Sequence, residues 1–588
     1  MNIQEMNIMN TLKKQPYTNQ RILAEVSGLS LGKVNQLLNC LKQQGYLTCD
    51  MKLTPLAQKL FHKSSPQNAI ILAAGLGMRM LPVNMEIPKG TLQIHGEILI
   101  ERLIKQLHES GVRKIYVVVG FMKEEFEYLI DNYQVELIVN SEYASKNNLH
   151  SLSLLADQIH NSYIIPCDMW CAVNPFQKYE LYSWYMVTEQ ADAESSVRMN
   201  RKGELVRTAD GGNYMIGIAY ISASDAPHIR QRLMSYALDP RYNYSFWEEI
   251  LFDGNKMILS ARMFQSKAIQ EINTYEQLRE LDSDSKHLQN DAINKIAGTF
   301  GVSPSEVHSI TALKKGMTNR SFLFTCRNRQ YIMRIPGEGT DLLINRRQEY
   351  NVYQLLDGKN ICDKVHFFSP ENGYKITEFI PSAHTCNPDN PKEVQKCMRF
   401  LREIHHRNMQ VDHTFDIFLQ LEFYEELRRG EIGAPSCYKD YEQTKEKIYE
   451  LKKYIDAQPK EWGLAHIDSV PDNFLLFSAE NGTEEIRLID WEYAGMQDVH
   501  VDIAMFAIYS LYDRPRIEAL IDAYFSEGCS LAVRLKIYCY ISVCGLLWSN
   551  WCEFKRMKGI EFGEYSLRQY RYAKDYYLLF KSYQEGNE

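Results

Sequence analysis

At 588 residues the chain is too long for one hydrophobic core and should divide into about three or four domains. A hydrophobic share of 45% with 24% charged residues is that of a soluble globular protein, and the net charge of −8 argues against a wholesale nucleic-acid binder while allowing a local basic patch. The thirteen cysteines contain no CxxC pair and no metal-like cluster, so they read as reduced thiols of a cytoplasmic protein.

The first residues, MNIQEMNIMNTLKKQ, lack the apolar core of a signal peptide. Ile22, Leu23 and Val26 then have helical spacing, Ser27-Gly28-Leu29-Ser30 reads as a turn, and Val34, Leu37, Leu38 and Leu41 form a second amphipathic stripe ending at Gly45. Tyr46-Leu47-Thr48 and Lys52-Leu53-Thr54 suit the two strands of a small hairpin. Residues 1–65 therefore resemble a winged helix-turn-helix, with Ser30–Gln36 opening the recognition helix. Residues 1–63 carry eight Lys/Arg against three acids, a net +5. Contact with DNA is one expectation; docking or dimerisation through protein contacts is the other, slightly favoured because Arg is scarce on the reading helix. A homodimer is left open.

Ser64–Asn68 is a short polar linker. After it the apolar runs Ala69–Leu72, Lys114–Val119, Val135–Val139 and Tyr163–Pro166 alternate with helical patterns at Leu99–Ser110 and Lys123–Asn132. This alternation predicts a Rossmann-like domain with a parallel sheet over residues 66–286, followed by a charged linker at Asp282–Asn290. Its first strand runs into Leu72-Ala73-Ala74-Gly75-Leu76-Gly77-Met78-Arg79, and Pro88-Lys89 follows. Glycines let backbone N–H groups approach phosphate oxygens, and Arg79 and Lys89 can balance a triphosphate.

This string resembles the GT-A-like nucleotidyltransferases. Ile87-Pro88-Lys89-Gly90, Val119-Gly120-Phe121, Phe126-Glu127-Tyr128-Leu129 and Asn147–Leu152 narrow the resemblance to bacterial choline-phosphate cytidylyltransferases of the LicC type. The resemblance implies that CTP and phosphocholine give CDP-choline and pyrophosphate with Mg²⁺. It also implies nucleotide contacts at Leu72, Ala73, Ala74, Gly75, Gly77, Asn148 and Ser151, and catalytic roles for Arg79, Lys89 and Asp168. Asp168 closes an apolar strand at the sheet edge where α/β proteins bind ligands, and matches the family's metal-binding Asp. The second metal position falls on Asn273, where many relatives have Asp; an Asn carbonyl can still bind Mg²⁺. Trimethylammonium calls for aromatic faces and carboxylates, and Trp170, Tyr244, Trp247, Glu248 and Glu271 could supply them.

From about residue 287 to 588, strands at Phe322–Phe324, Tyr331–Ile335 and Lys375–Phe379 give way to long helices, the order of a bilobal, protein-kinase-like fold. His466-Ile467-Asp468-Ser469-Val470-Pro471-Asp472-Asn473 followed by Leu488-Ile489-Asp490 provides the carboxylates and amide that phosphoryl transfer needs: Asp468 to orient the hydroxyl, Asn473 and Asp490 to hold Mg²⁺. Gly316, Thr318 and Asn319 would cover the ATP phosphates, Arg334 would hold them and pair with Glu349, and Glu378 lies in the segment that would meet adenine. Arg334, where protein kinases have Lys, is similar to choline and ethanolamine kinases. Trp548 and Trp551, three apart on one helical face, resemble the WxxW of choline kinases, with Tyr565 and Glu492 as further candidates for the choline pocket. The segment matches the LicA-type choline kinases of the aminoglycoside phosphotransferase-like fold in outline.

The inferred kinase product, phosphocholine, is the inferred transferase substrate, so the two resemblances imply consecutive steps from choline to CDP-choline with ATP and CTP as co-substrates. The same pair of reactions on ethanolamine, another amino alcohol or a phosphonate stays open, as does a DNA-binding regulator that uses both enzyme domains as sensors. Ile537–Trp551, the most apolar late stretch, is too short to span a bilayer and reads as a buried helix without membrane insertion.

Overall fold

The computed structural model describes residues 1–200, 202–313, 319–337, 340, 343–430, 433–479, 481–557 and 562–586. It divides into two compact units, residues 1–291 and 292–588.

The first unit begins with four helices, α1 (Ile3–Lys14), α2 (Gln20–Ser27), α3 (Leu31–Gln43) and α4 (Pro55–Lys63). Asn2, Asn19, Ser30 and Thr54 cap their N-termini by accepting from first-turn N–H groups. Ile8, Met9, Leu12, Leu23, Val34, Leu37, Leu38 and Leu41 fill the core between them. Of the expected α2 stripe only Leu23 is buried; Ile22 and Val26 stand on the outer face. The expected hairpin is reduced to a single bridge, Leu47 to Leu53, too short for regular strands. Leu181 closes this core from outside the four helices, with Tyr179 and Tyr182 packed against it.

A ten-stranded sheet follows. Its centre is β1 (Asn68–Ala73), β2 (Lys114–Val119), β3 (Glu136–Val139) and β4 (Ser162–Pro166), in the order β3–β2–β1–β4 and all parallel. Every residue of β1 is buried because both faces are covered. Ala69, Ile71 and Ala73 enter one core while Ile70, Leu72 and Ala74 enter the other, with α5 (Leu99–Glu109) covering the first. The expected all-parallel sheet is corrected beyond β4: β6 (Gly212–Ile221) runs antiparallel to both β4 and β5 (Trp184–Asp192), and β7 (Lys256–Phe264) pairs parallel with β5. The expected helix over Lys123–Asn132 is a 3₁₀ turn, Lys123–Phe126, and a short helix, Leu129–Tyr133. The charged segment after residue 281 packs onto this unit: the His95 N–H donates to Asp282 at 2.7 Å and the Tyr275 hydroxyl to the Leu288 carbonyl at 2.7 Å.

One buried carboxylate ties the sheet to the segment that carries Tyr179, Leu181 and Tyr182. Glu180 accepts two bonds from the Arg262 guanidinium at 2.7 and 2.6 Å, one from the Tyr163 hydroxyl at 3.0 Å and one from the Trp184 indole at 3.0 Å.

The second unit opens with a five-stranded antiparallel sheet, β9 (His308–Ala312), β10 (Asn319–Cys326), β11 (Arg329–Pro336), β12 (Val365–Phe368) and β13 (Lys375–Glu378), in the order β9–β10–β11–β13–β12. Helix α6 (Arg346–Leu356) lies between β11 and β12 in sequence. A helical body follows, built on α7 (Pro391–His405), α8 (Val501–Tyr509), α9 (Arg514–Tyr524), α10 (Leu531–Met557) and α11 (Glu564–Gln584). Helix α10 is long and apolar enough to cross a membrane, yet most of it is buried in the core of this unit. Its Gly545 lets α11 approach: a Cβ there would lie 2.7 Å from the Gln569 carbonyl oxygen.

Glu180→Ala should lower stability by about 3–5 kcal/mol, because Arg262 would be left buried without its partner. Thermal unfolding followed by circular dichroism reads this, and an unchanged melting temperature would refute the role assigned to Glu180.

Candidate active sites

The loop after β1 and the end of β4 lie where the strand order reverses, the crevice in which open α/β sheets bind ligands. A cavity of about 920 Å³ opens there. It receives every residue expected at this site except Trp170. Gly77 has φ +63°, and a Cβ on it would lie 3.0 Å from Lys89 Cγ, so any other residue here would be strained and would press on the Lys89 stem. The Leu76 carbonyl accepts from the buried Asn84 amide at 3.0 Å, which holds the loop between the two glycines.

The Lys89 ammonium sits between Asp168 and Asn273, 3.1 Å from Asp168 Oδ2 and 2.7 Å from Asn273 Oδ1. Arg79 donates to the same Asn273 oxygen at 2.9 Å. Burial, the largest influence, and then the Asp168 charge push the Glu271 carboxyl up, with the Tyr214 hydroxyl, Asn273 and Lys89 opposing the rise. An Asp at position 273 would add a third carboxylate beside Asp168 and Glu271.

Two further carboxyls line the cavity. Glu271 accepts from the Tyr214 hydroxyl at 2.6 Å and Glu248 from the Tyr185 hydroxyl at 3.0 Å. Burial pushes Glu248 up to about 7, with the Glu271 charge adding to it. The other Glu248 oxygen, Oε2, is buried without a hydrogen-bond partner. Tyr244 is 80% exposed at the rim, whereas Trp247 is 1% exposed and forms a wall behind Tyr185, ring centroids 6.1 Å apart. Asn148 accepts from the Trp247 N–H at 2.8 Å, and Ser151 accepts from Asn140 at 3.0 Å. Trp170 is corrected: it lies buried in a short strand, Met169–Cys171, with the Arg102 guanidinium 4.4 Å over its ring, and does not line the cavity.

In the second unit, Asp468 is half-buried beside Asn473, whose amide donates to its carbonyl at 2.8 Å and its carboxylate at 3.0 Å. Burial and then the Asp490 charge push Asp468 up to about 7. Arg334 pairs with Glu349 at 2.6 Å, and Asp490 lies 3.3 Å from the same guanidinium. Glu349, Asp490 and Glu492 bring carboxylate oxygens within 4.8 Å of one another. Glu349 is also held by Arg346 at 3.2 Å, while Glu492 accepts from Asn319 at 3.0 Å and stands 3.6 Å from both arginines. Glu492 is therefore corrected from the choline pocket to the arginine cluster, its carboxylate being engaged there. Glu378 closes β13 and faces His366 at 3.5 Å. Gly316 and Thr318 lie outside the described residues.

An aromatic chain adjoins Asp468. Trp548 and Trp551 meet edge-on at 5.1 Å, Trp551 meets Phe562 at 5.2 Å, Phe562 meets Tyr565 at 6.3 Å and Tyr565 meets Tyr509 at 6.1 Å. The Asp468 charge adds to burial in pushing the phenols of Tyr424, Tyr493, Tyr509 and Tyr565 up.

Sequence reasoning missed Tyr185, Tyr214 and Asp502. The tyrosines sit on β5 and β6, where isolated aromatics look like core. Asp502, in the first turn of α8, is fully buried and accepts the N–H groups of His466 at 2.9 Å and Ile467 at 2.7 Å. His405 Nε2 lies 2.9 Å from Asp502 Oδ2, the oxygen that receives His466, and its Nδ1 is 2.7 Å from the Tyr524 hydroxyl. Ile467 has φ +71°, a strained conformation for a β-branched residue, held by the bond to Asp502.

Three stretches match family models: winged helix-turn-helix DNA-binding over residues 1–48, a MobA-like NTP transferase domain over 69–179 and choline/ethanolamine kinase over 310–520. Over 225 residues the chain is 28% identical to the choline-phosphate cytidylyltransferase of Streptococcus pneumoniae, covering 37% of this chain and 98% of that protein. Over another alignment of 225 residues it is 30% identical to the 2-aminoethylphosphonate cytidylyltransferase of Lancefieldella rimae, covering 37% and 92%. The crystal structure of choline kinase LicA from Streptococcus pneumoniae is 30% identical, with 48% of this chain and 96% of that one covered and a TM-score of 0.42. The chain belongs to the bacterial cytidylyltransferases of the nucleotidyltransferase fold, joined in one polypeptide to a choline/ethanolamine kinase domain and a winged helix-turn-helix.

With its carboxyl at about 7, Glu248 is neutral below that pH and anionic above it. Affinity for a cationic substrate should therefore rise with pH: KM for phosphocholine should fall several-fold between pH 6 and 8, and Glu248→Gln should remove that dependence. A parallel slope in both proteins would show that the titration belongs to another group.

Proposed function

We propose that the chain phosphorylates choline with ATP and joins the resulting phosphocholine to CTP, releasing CDP-choline and pyrophosphate. The observation that carries this reading is that groups suited to an ammonium stand beside cations suited to phosphate in each unit. In the first, the partly buried carboxyls Glu248 and Glu271 share the cavity with Lys89 and Arg79. In the second, the Trp548–Tyr565 aromatic chain adjoins Asp468, with Arg334 beside Asp490.

For cytidylyl transfer, the backbone N–H groups of the Gly75–Gly77 loop cradle the CTP phosphates, and Lys89 and Arg79 neutralise charge as the phosphocholine oxygen attacks the α-phosphorus and pyrophosphate departs. Mg²⁺ suits this cleft: Asp168 and Asn273 offer hard oxygen donors that already converge on one cation, the Lys89 ammonium, and substrate phosphates would complete its coordination. When bound, the metal supplies further charge neutralisation on the triphosphate.

For phosphoryl transfer, Asp468 orients the choline hydroxyl toward the γ-phosphate of ATP and Arg334 holds the phosphates. Asp490 and Asn473 suit Mg²⁺ there, because Asp490 is partly exposed while Glu349 and Glu492 are buried against Arg334 and Arg346. The aromatic faces receive trimethylammonium, which accepts cation–π contact and offers no N–H to a carboxylate. The net charge of +5 over residues 1–63 and the match to a winged helix-turn-helix DNA-binding model support a second, separate role in DNA contact.

A mixture of full-length protein, choline, ATP, CTP and Mg²⁺ should yield CDP-choline by mass spectrometry; no product from choline or phosphocholine would overturn the reading, and activity on ethanolamine alone would move only the substrate. Lys89→Ala should cut cytidylyl transfer by at least about 100-fold, the scale of losing one transition-state electrostatic contact, and spare the kinase. Asp468→Ala should do the reverse. Trp548→Ala should raise KM for choline about tenfold, the equivalent of about 1.4 kcal/mol of cation–π contact.

A further inference from the structure

The start of α9 and one face of α11 enclose a cavity of about 630 Å³ in the second unit, and none of the residues assigned to phosphoryl transfer lines it. Arg568, Arg571, Tyr572, Asp575 and Tyr576 come to it from α11 at intervals of three and four, and Arg514 comes from the first turn of α9. Such a face is ordinarily a solvated helix surface. The Tyr576 hydroxyl sets this one apart. Tyr576 lines the cavity, is 5% exposed and has its hydroxyl buried without a hydrogen-bond partner, a costly condition that a small shift of the ring toward a ligand oxygen would relieve. Its neighbour Tyr572, by contrast, donates to the Tyr512 carbonyl at 2.6 Å.

The charges narrow the ligand. Arg571 pairs with Asp575, while Arg568 donates to the Leu511 carbonyl at 3.2 Å and Arg514 to the Tyr583 hydroxyl at 3.2 Å. Three guanidinium groups suit phosphate oxygens. The tyrosine faces and Asp575 suit a cationic or aromatic end. The volume is within the usual range for a small-molecule site. A phosphate ester that carries a positive group meets all three conditions, and a CDP-amino alcohol is such a molecule.

The position matters as well. The cavity lies where α8 passes to α9. Helix α8 carries Asp502, which holds the loop before Asp468, and α9 ends at Tyr524, on His405, which contacts Asp502. We propose that this cavity is a second ligand site, which takes the CDP-amino alcohol made by the first unit and slows phosphoryl transfer when filled. This rests on the function proposed above.

Two measurements on the full-length chain test it. Kinase rate at saturating ATP and choline should fall as CDP-choline is added. In the Arg514→Gln/Arg571→Gln variant the concentration for half-inhibition should rise at least about tenfold, with the uninhibited rate within about twofold of wild type. Absence of inhibition, or equal inhibition in both proteins, would overturn the proposal. Calorimetry reads the site without turnover, so it separates this proposal from the functional reading: wild type should bind one more equivalent of CDP-choline than the variant, and Tyr576→Phe should weaken that equivalent alone. Equal stoichiometry in wild type and variant sinks the proposal whether or not either reaction occurs.

Discussion

The Lys89 ammonium, held between Asp168 and Asn273, is the contact on which the first site depends. Its stem crosses Gly77, so the glycine loop, the end of β4 and the segment after the short strand Ile269–Glu271 are fixed by one side chain. The same contact explains Asn at a position where a second carboxylate would be expected. Asp168 and Glu271 already bring two negative charges to this end of the cavity. A third would raise the desolvation cost faster than one lysine and one arginine could offset it. An amide keeps the oxygen that receives Lys89 and Arg79 without adding a third charge.

The second unit solves a related problem with the roles reversed. There the cations are buried and the carboxylates surround them: Arg334 and Arg346 lie among Glu349, Glu492 and Asp490. Arg334 suits this position better than a lysine, because a planar guanidinium can reach several carboxylates at once. Asp468 is placed by backbone rather than by charge. Asp502 takes two consecutive N–H groups just before it and holds Ile467 in a left-handed conformation that only surrounding bonds can maintain.

Much of this was legible in the sequence, for identifiable reasons. The strands β1, β2 and β4 announced themselves because strands covered on both faces are continuous apolar runs. Asp168 follows such a run directly, and Asp490 follows the apolar pair Leu488-Ile489. Features made by folding alone were hidden. Nothing local marks Asp502 as the partner of a loop more than thirty residues earlier in the chain. Tyr185 and Tyr214 differ from core tyrosines only in the carboxylates opposite them. Trp170 failed as a ligand candidate because Arg102, nearly seventy residues away, covers its face. The antiparallel strands beyond β4 were missed because β5 and β6 are half polar and reveal pairing direction only through their partners.

The two units would recognise one ammonium group by different chemistry, with a consequence for selectivity. Aromatic faces such as Trp548 and Trp551 gain most from a large, weakly hydrated cation and provide few acceptors for N–H donors. A primary ammonium entering that cage would lose water hydrogen bonds without replacement. The carboxyls of the first unit are less discriminating: the unpartnered Glu248 oxygen can accept an N–H bond, and the negative charge also serves a quaternary cation. Discrimination between quaternary and primary amines would therefore belong mainly to the kinase half, and the carboxyls of the transferase could serve either cation.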